Sequence, residues 1–100
     1  FIENVTVTVT FINQVNFGNH QLTALSVRSK MKASDHIEET VLVEAAVATV
    51  TFTLPITNYL AQQALQFMLV KTTPSATTET GWYDWDLSQG AVIGITADRL

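Results

Sequence analysis

The chain has no cysteine, so neither a disulfide bond nor a thiolate metal site can contribute to its stability. Only 14% of its 100 residues are charged, well below the roughly 25% of an average protein, and the net charge is −4. A negative chain is not expected to bind nucleic acid nonspecifically over its whole surface, although a local basic patch still can. So few charges do little to keep neighbouring molecules apart, and self-association is therefore expected.

Apolar segments long enough for a membrane and motifs typical of catalysis are also lacking. No run of about 18 apolar residues occurs, so we expect no membrane contact. Of the two histidines, His36 stands beside acidic residues, but in a polar segment where all of them would be solvated. Phosphate-binding glycine loops, nucleophile elbows and HExxH motifs are absent, and Asp84-x-Asp86 is too sparse for calcium. We expect no enzyme, no catalytic residues, no metal, no cofactor and no small-molecule substrate.

Strand patterns dominate the first half of what we expect to be a single domain, residues 1–100. Apolar and polar residues alternate along 1–15 and again along 21–32, which predicts two half-buried strands joined by a turn. The run Thr40–Leu54 is rich in Val and Thr and lacks Gly and Pro, which predicts a long central strand. Together these strands predict an antiparallel meander sheet over 1–54.

The central run changes phase within itself. Val41 and Val43 occupy odd positions, whereas Val50 and Phe52 occupy even ones. A period of two cannot place both pairs on one face of a sheet. We therefore expect a β-bulge near residues 45–49, the alternative being that both faces of one half are covered.

A helix is predicted after the sheet. Pro55 ends the central strand because it cannot donate to the ladder, and the Ala, Leu, Gln and Met that follow favour a helix over 57–71. The predicted fold is therefore α+β, with a C-terminal helix packed on one face of the meander sheet. Its apolar stripe is wider than one sheet requires, so we expect a dimer partner to complete the layer. The expected dimer contacts are Leu60, Ala64, Phe67 and Met68.

Residues 72–100 are predicted to form a loop and tail. The segment 90–96 is short and apolar, and either a buried edge strand or one helical turn would fit it. Trp82, Tyr83 and Trp85 could stack on sugars or bases. Aromatic residues near a chain end more often anchor the tail to the core or to a neighbouring molecule, and we favour that interpretation.

A basic row is the most specific surface feature. Three of the five basic residues stand at alternate positions of the second strand, on one face and about 7 Å apart. Cations attract phosphates and nearby hydroxyls can hydrogen-bond to them, so an RNA-binding face is one interpretation; an ordinary solvated face is the other. The threonine rows also resemble ice-binding surfaces, which usually have many more repeats. The expected RNA-binding residues are Arg28, Lys30, Lys32, Thr49, Thr51 and Thr53.

Two stretches resemble the coat proteins of single-stranded RNA bacteriophages. LTALSVRSKMKASDHIEETVLVEA resembles the family's hairpin of a Ser-Val-Arg strand and a Val-rich strand, and ATVTFTLPITNYLAQQALQFML resembles its last strand running into its first helix. Val41 to Leu54 contains no turn residues of the kind that separate the family's last two strands. The segment 81–100 matches no part of the family pattern.

The resemblance implies a viral structural protein. Such a coat forms a two-fold homodimer with one continuous sheet, its helices reach over the partner, and the dimers assemble into a shell with genomic RNA against the sheet. The implied location is the virion, with assembly in the host cytoplasm. The alternative function is a small non-enzymatic binding module that uses the Trp82–Trp85 loop for a sugar or peptide.

Overall fold

The computed structural model describes residues 3–44 and 46–100, which form two β-sheets packed around one core. The three-stranded sheet consists of β1 (Asn4–Asn13), β4 (Val47–Pro55) and β8 (Val92–Ile95). The five-stranded sheet consists of β2 (Ala24–Met31), β3 (Ile37–Leu42), β5 (Ala64–Thr72), β6 (Thr77–Glu79) and β7 (Tyr83–Asp86). Short helices α1 (Phe17–His20) and α2 (Ile56–Ala61), with 3₁₀ turns at Leu87–Gln89 and Ala97–Arg99, complete the secondary structure. The predicted α+β fold with a C-terminal helix is therefore wrong.

The order of the strands also contradicts the predicted meander. β1 lies in the middle of its sheet, antiparallel to β4 and parallel to β8. In the other sheet β2 lies between β3 and β5, while β6 and β7 share the far side of β5. β1 and β2 were predicted to form a hairpin, but the connection through α1 crosses from one sheet to the other. The two strands therefore place their apolar sides on a common core from opposite directions.

The core lies between the two sheets and is built from alternate residues of their strands. Val9 and Phe11 of β1 are fully buried while the intervening threonines face outward, as the sequence predicted. Leu65 and Phe67 of β5 are fully buried as well. The rings of Phe11 and Phe67 meet edge to face with their centroids 5.9 Å apart, a preferred aromatic geometry. This contact joins the central strands of the two sheets.

The segment predicted to be a helix over 57–71 is mostly strand. α2 ends at Ala61, and β5 begins at Ala64 and pairs with β2 along its whole length. Both faces of β5 are covered: Leu69 faces the core, and Met68 on the outer face is only 7% exposed. A strand covered on both faces reads as a continuous apolar run, which periodicity cannot distinguish from a buried helix. Packing between sheets has therefore overridden helix propensity.

The long central strand is in fact two strands, β3 and β4, joined by a turn. The Ala46 backbone N–H donates to the Val43 carbonyl at 3.2 Å, and the Asn13 side-chain amide donates to the same carbonyl at 2.9 Å. From Val47 onward the ladder with β1 is continuous, so the expected bulge is replaced by a turn; Ala45 lies outside the described residues. The turn accounts for the change of phase, because β3 and β4 belong to different sheets.

Residues 72–100, predicted to be loop and tail, contain three strands. Ile93 and Ile95 of β8 are fully buried, so the edge-strand alternative for this segment is confirmed. The anchoring interpretation is confirmed for two of the aromatic residues: Tyr83 donates its hydroxyl to the Arg99 carbonyl, and the Trp85 indole N–H donates to the Gly90 carbonyl at 2.9 Å. Neither helix of the described ranges has the length and apolar character needed to cross a membrane.

Candidate binding surfaces

The outer side of the three-stranded sheet, called here the threonine face, carries uncharged side chains. β1 and β4 pair so that Thr6 lies opposite Thr53, Thr8 opposite Thr51 and Thr10 opposite Thr49. Val47, Ile12 and Gly94 continue the face at one end, and Val92 lies beside Thr10. The threonine face comprises Asn4, Thr6, Thr8, Thr10, Ile12, Val47, Thr49, Thr51, Thr53, Val92 and Gly94.

Backbone geometry places each threonine pair at close range. In an antiparallel ladder, residue pairs that exchange hydrogen bonds alternate with closer pairs that do not. Asn13 donates its backbone N–H to Ala46, and Ile56 donates to Glu3, so the threonine pairs fall at the closer positions. The hydroxyls of Thr8 and Thr51 are accordingly 3.5 Å apart. β-branched side chains that pack in this way form an even, rigid surface.

The outer side of the five-stranded sheet, called here the charged face, is held together by ion pairs. Arg28 on β2 donates from Nε to Glu39 of β3 at 2.8 Å and from Nη1 to Glu79 of β6 at 3.2 Å. The hydrogen bond with Glu39 is the main cause of a raised pKa for Arg28, and the charge of Glu79 adds to it. One guanidinium therefore bridges three strands.

A second polar cluster lies beside this one on the charged face. The Gln66 side-chain amide donates to the Asp84 carboxylate at 3.0 Å, and the Lys32 ammonium lies 3.7 Å from the same carboxylate. All three side chains lie at or near the surface, since Lys32 and Asp84 keep 41% and 66% of their side-chain area exposed. Asp84 therefore presents acceptor oxygens to solvent while remaining positioned by two donors.

Trp82 packs on Lys30, which stands between Arg28 of the first cluster and Lys32 of the second, and it completes the charged face. Unlike Tyr83 and Trp85, it is an exposed aromatic residue, with 39% of its surface accessible. The Lys30 ammonium lies 5.0 Å from the centre of its ring, a favourable cation–π distance. Lys30 thus positions the indole on the sheet. The polar and aromatic residues of the charged face are Arg28, Lys30, Lys32, Glu39, Gln66, Glu79, Trp82 and Asp84. The exposed apolar side chains of Ile37 and Val41 lie on the same side of β3.

The structure divides the residues predicted to bind RNA between two surfaces. Arg28 and Lys30 do lie together on the outer side of β2, as predicted, and Lys32 follows directly after the end of that strand. The predicted companions Thr49, Thr51 and Thr53 lie instead on β4, in the other sheet. The expectation of one face that combines cations and hydroxyls is therefore wrong. In addition, each cation has a partner within the protein, a carboxylate or the Trp82 ring.

The predicted dimer contacts are divided in the same way. Leu60 lies on α2 and is 67% exposed, while Ala64 begins β5 and is half-buried. Phe67 is fully buried in the core, and Met68 lies beneath the charged face. They do not form one stripe, because the helix that would have aligned them is a strand from Ala64 onward.

Other polar groups form no comparable site. His36 and Glu38 make a 2.6 Å contact at the surface, and no group of three potential metal ligands occurs within the described ranges. A cavity of about 300 Å³ near α1 is lined partly by His20 and Lys71, and the Lys71 ammonium already donates to the Leu100 carbonyl at 3.1 Å.

Ser88 donates its backbone N–H to the Asp86 carboxylate at 2.9 Å. This hydrogen bond, together with one from the Ser88 hydroxyl, lowers the pKa of the Asp86 carboxyl.

No family model, curated protein or solved structure matches this chain. Its two faces are therefore interpreted from their geometry alone.

Sequence reasoning missed the acidic and amide partners on the charged face, namely Glu39, Gln66, Glu79 and Asp84. Only the register across β3, β2, β5, β6 and β7 brings them to the basic row. An opposite charge in the strand that follows β2 was a usable signal, because adjacent antiparallel strands often pair opposite charges. The contribution of Gln66 could not be recognised while its segment was assigned to a helix.

Proposed function

We propose that this chain is a non-enzymatic binding domain that recognises a sugar on its charged face. The single observation that carries the proposal is the exposed Trp82 indole, packed on Lys30 between two clusters of positioned hydrogen-bonding groups. A sugar ring has an apolar C–H side that packs on an aromatic ring, and hydroxyls at its rim that need donors and acceptors. The charged face offers both within one surface.

The polar groups around Trp82 have the chemistry to bind hydroxyls. Arg28 is a rigid, planar donor, the Asp84 carboxylate is an acceptor, and the Gln66 amide supplies both functions. Because ion pairs and hydrogen bonds within the protein already hold these side chains, little conformational entropy is lost when a ligand binds. Such pre-organisation compensates for the modest strength of each bond to a neutral hydroxyl.

A sugar suits this surface better than a peptide. Peptide recognition by a sheet commonly adds a strand to an exposed edge and places side chains in pockets. Trp82 lies instead on the outer side of the sheet, beside Lys30, with polar groups on both sides of that lysine. An uncharged or weakly charged sugar also avoids competition with the existing ion pairs. We therefore assign the ligand to the carbohydrates.

The viral shell with RNA against the sheet stays an untested prediction with less geometric support. It was argued from a surface with cations and threonines together, and these lie on opposite sheets. An RNA phosphate would also compete with Glu39 and Glu79 for Arg28. Such competition weakens phosphate binding at this face.

Glycan-array screening followed by calorimetric titration of the best sugar tests the proposal. We expect Trp82→Ala to weaken binding about tenfold or more, equivalent to about 1.4 kcal/mol. Thr51→Ala on the threonine face is the matched control and should leave the affinity unchanged.

A mixed-sequence single-stranded RNA serves as the competing probe. Binding of RNA with loss on Arg28→Gln, and no sugar bound by the native protein, would contradict the sugar assignment and favour the RNA-binding prediction. Equal losses of sugar affinity for Trp82→Ala and Thr51→Ala would place the site elsewhere.

A further inference from the structure

The outer edge of β4 has unpaired backbone groups. Ala46 accepts from β1 and Ile56 donates to it, and alternate residues of an antiparallel strand direct both backbone groups to the same neighbour. The even-numbered residues of β4 therefore bond to β1. Val47, Thr49, Thr51 and Thr53 direct their N–H and C=O groups away from it, where the described part of the chain supplies no strand.

Other outer edges of the molecule have the features that normally prevent edge pairing. β3 carries Glu38 and Glu39, and charge on an edge strand discourages the addition of another strand. β6, β7 and β8 have only three or four residues each. β4 has nine residues, no charge, and no proline before Pro55 at its end. Of these strands, β4 is therefore the one whose open edge is both long and uncharged.

We propose that β4 pairs with β4 of a second copy of this chain, antiparallel across a two-fold axis. The two three-stranded sheets then form one six-stranded sheet, with the threonine faces continuous across the junction. A strand without charge is complementary to itself, because two-fold pairing brings no like charges together. Because both copies contribute the same edge, association through β4 stops at two chains.

The positions of the open groups select the register. With the axis at Val50, Thr49 lies opposite Thr51 of the partner, and Val47 lies opposite Thr53 of the partner. All four residues with open groups then exchange backbone hydrogen bonds. An axis at Thr51 would place Val47 opposite Pro55, which has no N–H to donate. That axis would leave the Val47 carbonyl without a donor, whereas the register centred on Val50 pairs every open group of these four residues.

Sedimentation velocity over a wide range of protein concentrations provides the first test. We expect the native chain to reach twice its 11.0 kDa mass. Thr51→Lys places two ammonium groups near the axis and should raise the dissociation constant about tenfold or more. A native chain that stays monomeric at every concentration would overturn the proposal.

Thr8→Lys is the matched control, because Thr8 lies opposite Thr51 on the same face but on the central strand. It should leave the dimer intact if the edge mediates association. Equal dissociation by both variants would show that the threonine faces pack on each other, which would overturn edge pairing. Circular dichroism of both variants establishes that each is folded.

Two single proline substitutions also distinguish pairing through the edge of β4 from association through β1. The N–H groups of Thr51 and Thr8 both lack a strand partner among the described residues, since β8 pairs with β1 only from Thr10. Proline is tolerated at such positions. Thr51→Pro should abolish the dimer while Thr8→Pro should not; the reverse result would move the interface to the open half of β1.

Cross-linking tests the register, because the chain has no cysteine of its own. Cα atoms of a hydrogen-bonded pair are about 5.5 Å apart, within disulfide range. A mixture of Thr49→Cys and Thr51→Cys chains should therefore form disulfides between unlike chains. Each variant alone should not, since equivalent residues are offset by about 7 Å along the strands. Efficient cross-linking of Thr51→Cys alone would contradict the Val50 register.

Discussion

The two outer faces of this sandwich are held together by different kinds of side-chain contact. Each is built from cross-strand pairs: hydroxyl with hydroxyl on the threonine face, and cation with carboxylate or indole on the charged face. Hydroxyl pairs are neutral, so their surface responds little to salt or pH. Ion pairs are directional and screened by salt, so the arrangement of the charged face depends on ionic strength.

The contrast shows why a low charge content says little about where charge is located. Only 14% of residues are charged, yet three of the cations follow one another along and just beyond β2. Arg28 and Lys32 find carboxylate partners on three other strands. The opposite sheet turns uncharged residues outward. The face that we propose binds a sugar and the edge that we propose pairs with a second copy thus lie on different sheets of one small domain.

The largest expected effect tests the core on which both faces depend. Phe67→Ala should lower the free energy of unfolding by about 3–5 kcal/mol, because it removes a fully buried ring packed on Phe11 and Tyr83. Urea denaturation followed by circular dichroism measures the change. The control is Leu60→Ala, which should change it by less than about 0.5 kcal/mol because Leu60 is exposed. Similar losses of stability for both variants would contradict the assignment of Phe67 to the core and of Leu60 to the surface.

A smaller effect distinguishes the two faces directly. Arg28→Gln leaves Glu39 and Glu79 without the cation between them, so their repulsion should destabilise the fold most at low salt. Added sodium chloride should therefore raise the urea midpoint of this variant more than that of the native chain. Thr8→Gln, on the threonine face, should follow the native response. If both variants responded alike to salt, the ion pairs would contribute nothing measurable.

The smallest expected effect is on the stability of the fold at low pH. Hydrogen bonds from Ser88 lower the pKa of Asp86 in the folded state, so its stabilising contribution is present above the unfolded pKa of about 3.9 and is lost as pH falls through the folded pKa. Asp86→Asn keeps an acceptor oxygen but does not titrate. Its stability should therefore fall less steeply than that of the native chain below about pH 4. Thermal unfolding across this range measures it, and parallel curves would contradict the assignment.

Features that depend only on local alternation were predictable from the sequence. β1 and β2 lie where the period of two places strands, and Arg28 and Lys30 of the basic row share one side of β2. No knowledge of neighbouring strands is needed for either conclusion. For the segment 90–96 the sequence allowed a buried edge strand or one helical turn, and the structure shows the strand β8 with its isoleucines buried.

Features set by distant partners were not predictable. β5 lost its alternation because Met68 and Val70 are covered on the outer side of a central strand. The turn before Ala46 contains neither Gly nor Pro, and the Asn13 side chain, distant in sequence, bonds to it. The threonines were assigned to the wrong surface because the sequence does not show which strands share a sheet.

The parallel pairing of β1 and β8 has a mechanical consequence. β1 runs from Asn4 towards Asn13, and β8 runs beside its second half in the same direction. A force pulling Asn4 and Ile95 apart would act along these strands and load their hydrogen bonds in shear. Thr10 donating to Ala91 and Gln14 donating to Ile95, both at 2.8 Å, would then bear the load together rather than one after the other. Pulled between these two residues, the domain would therefore resist extension until both bonds break.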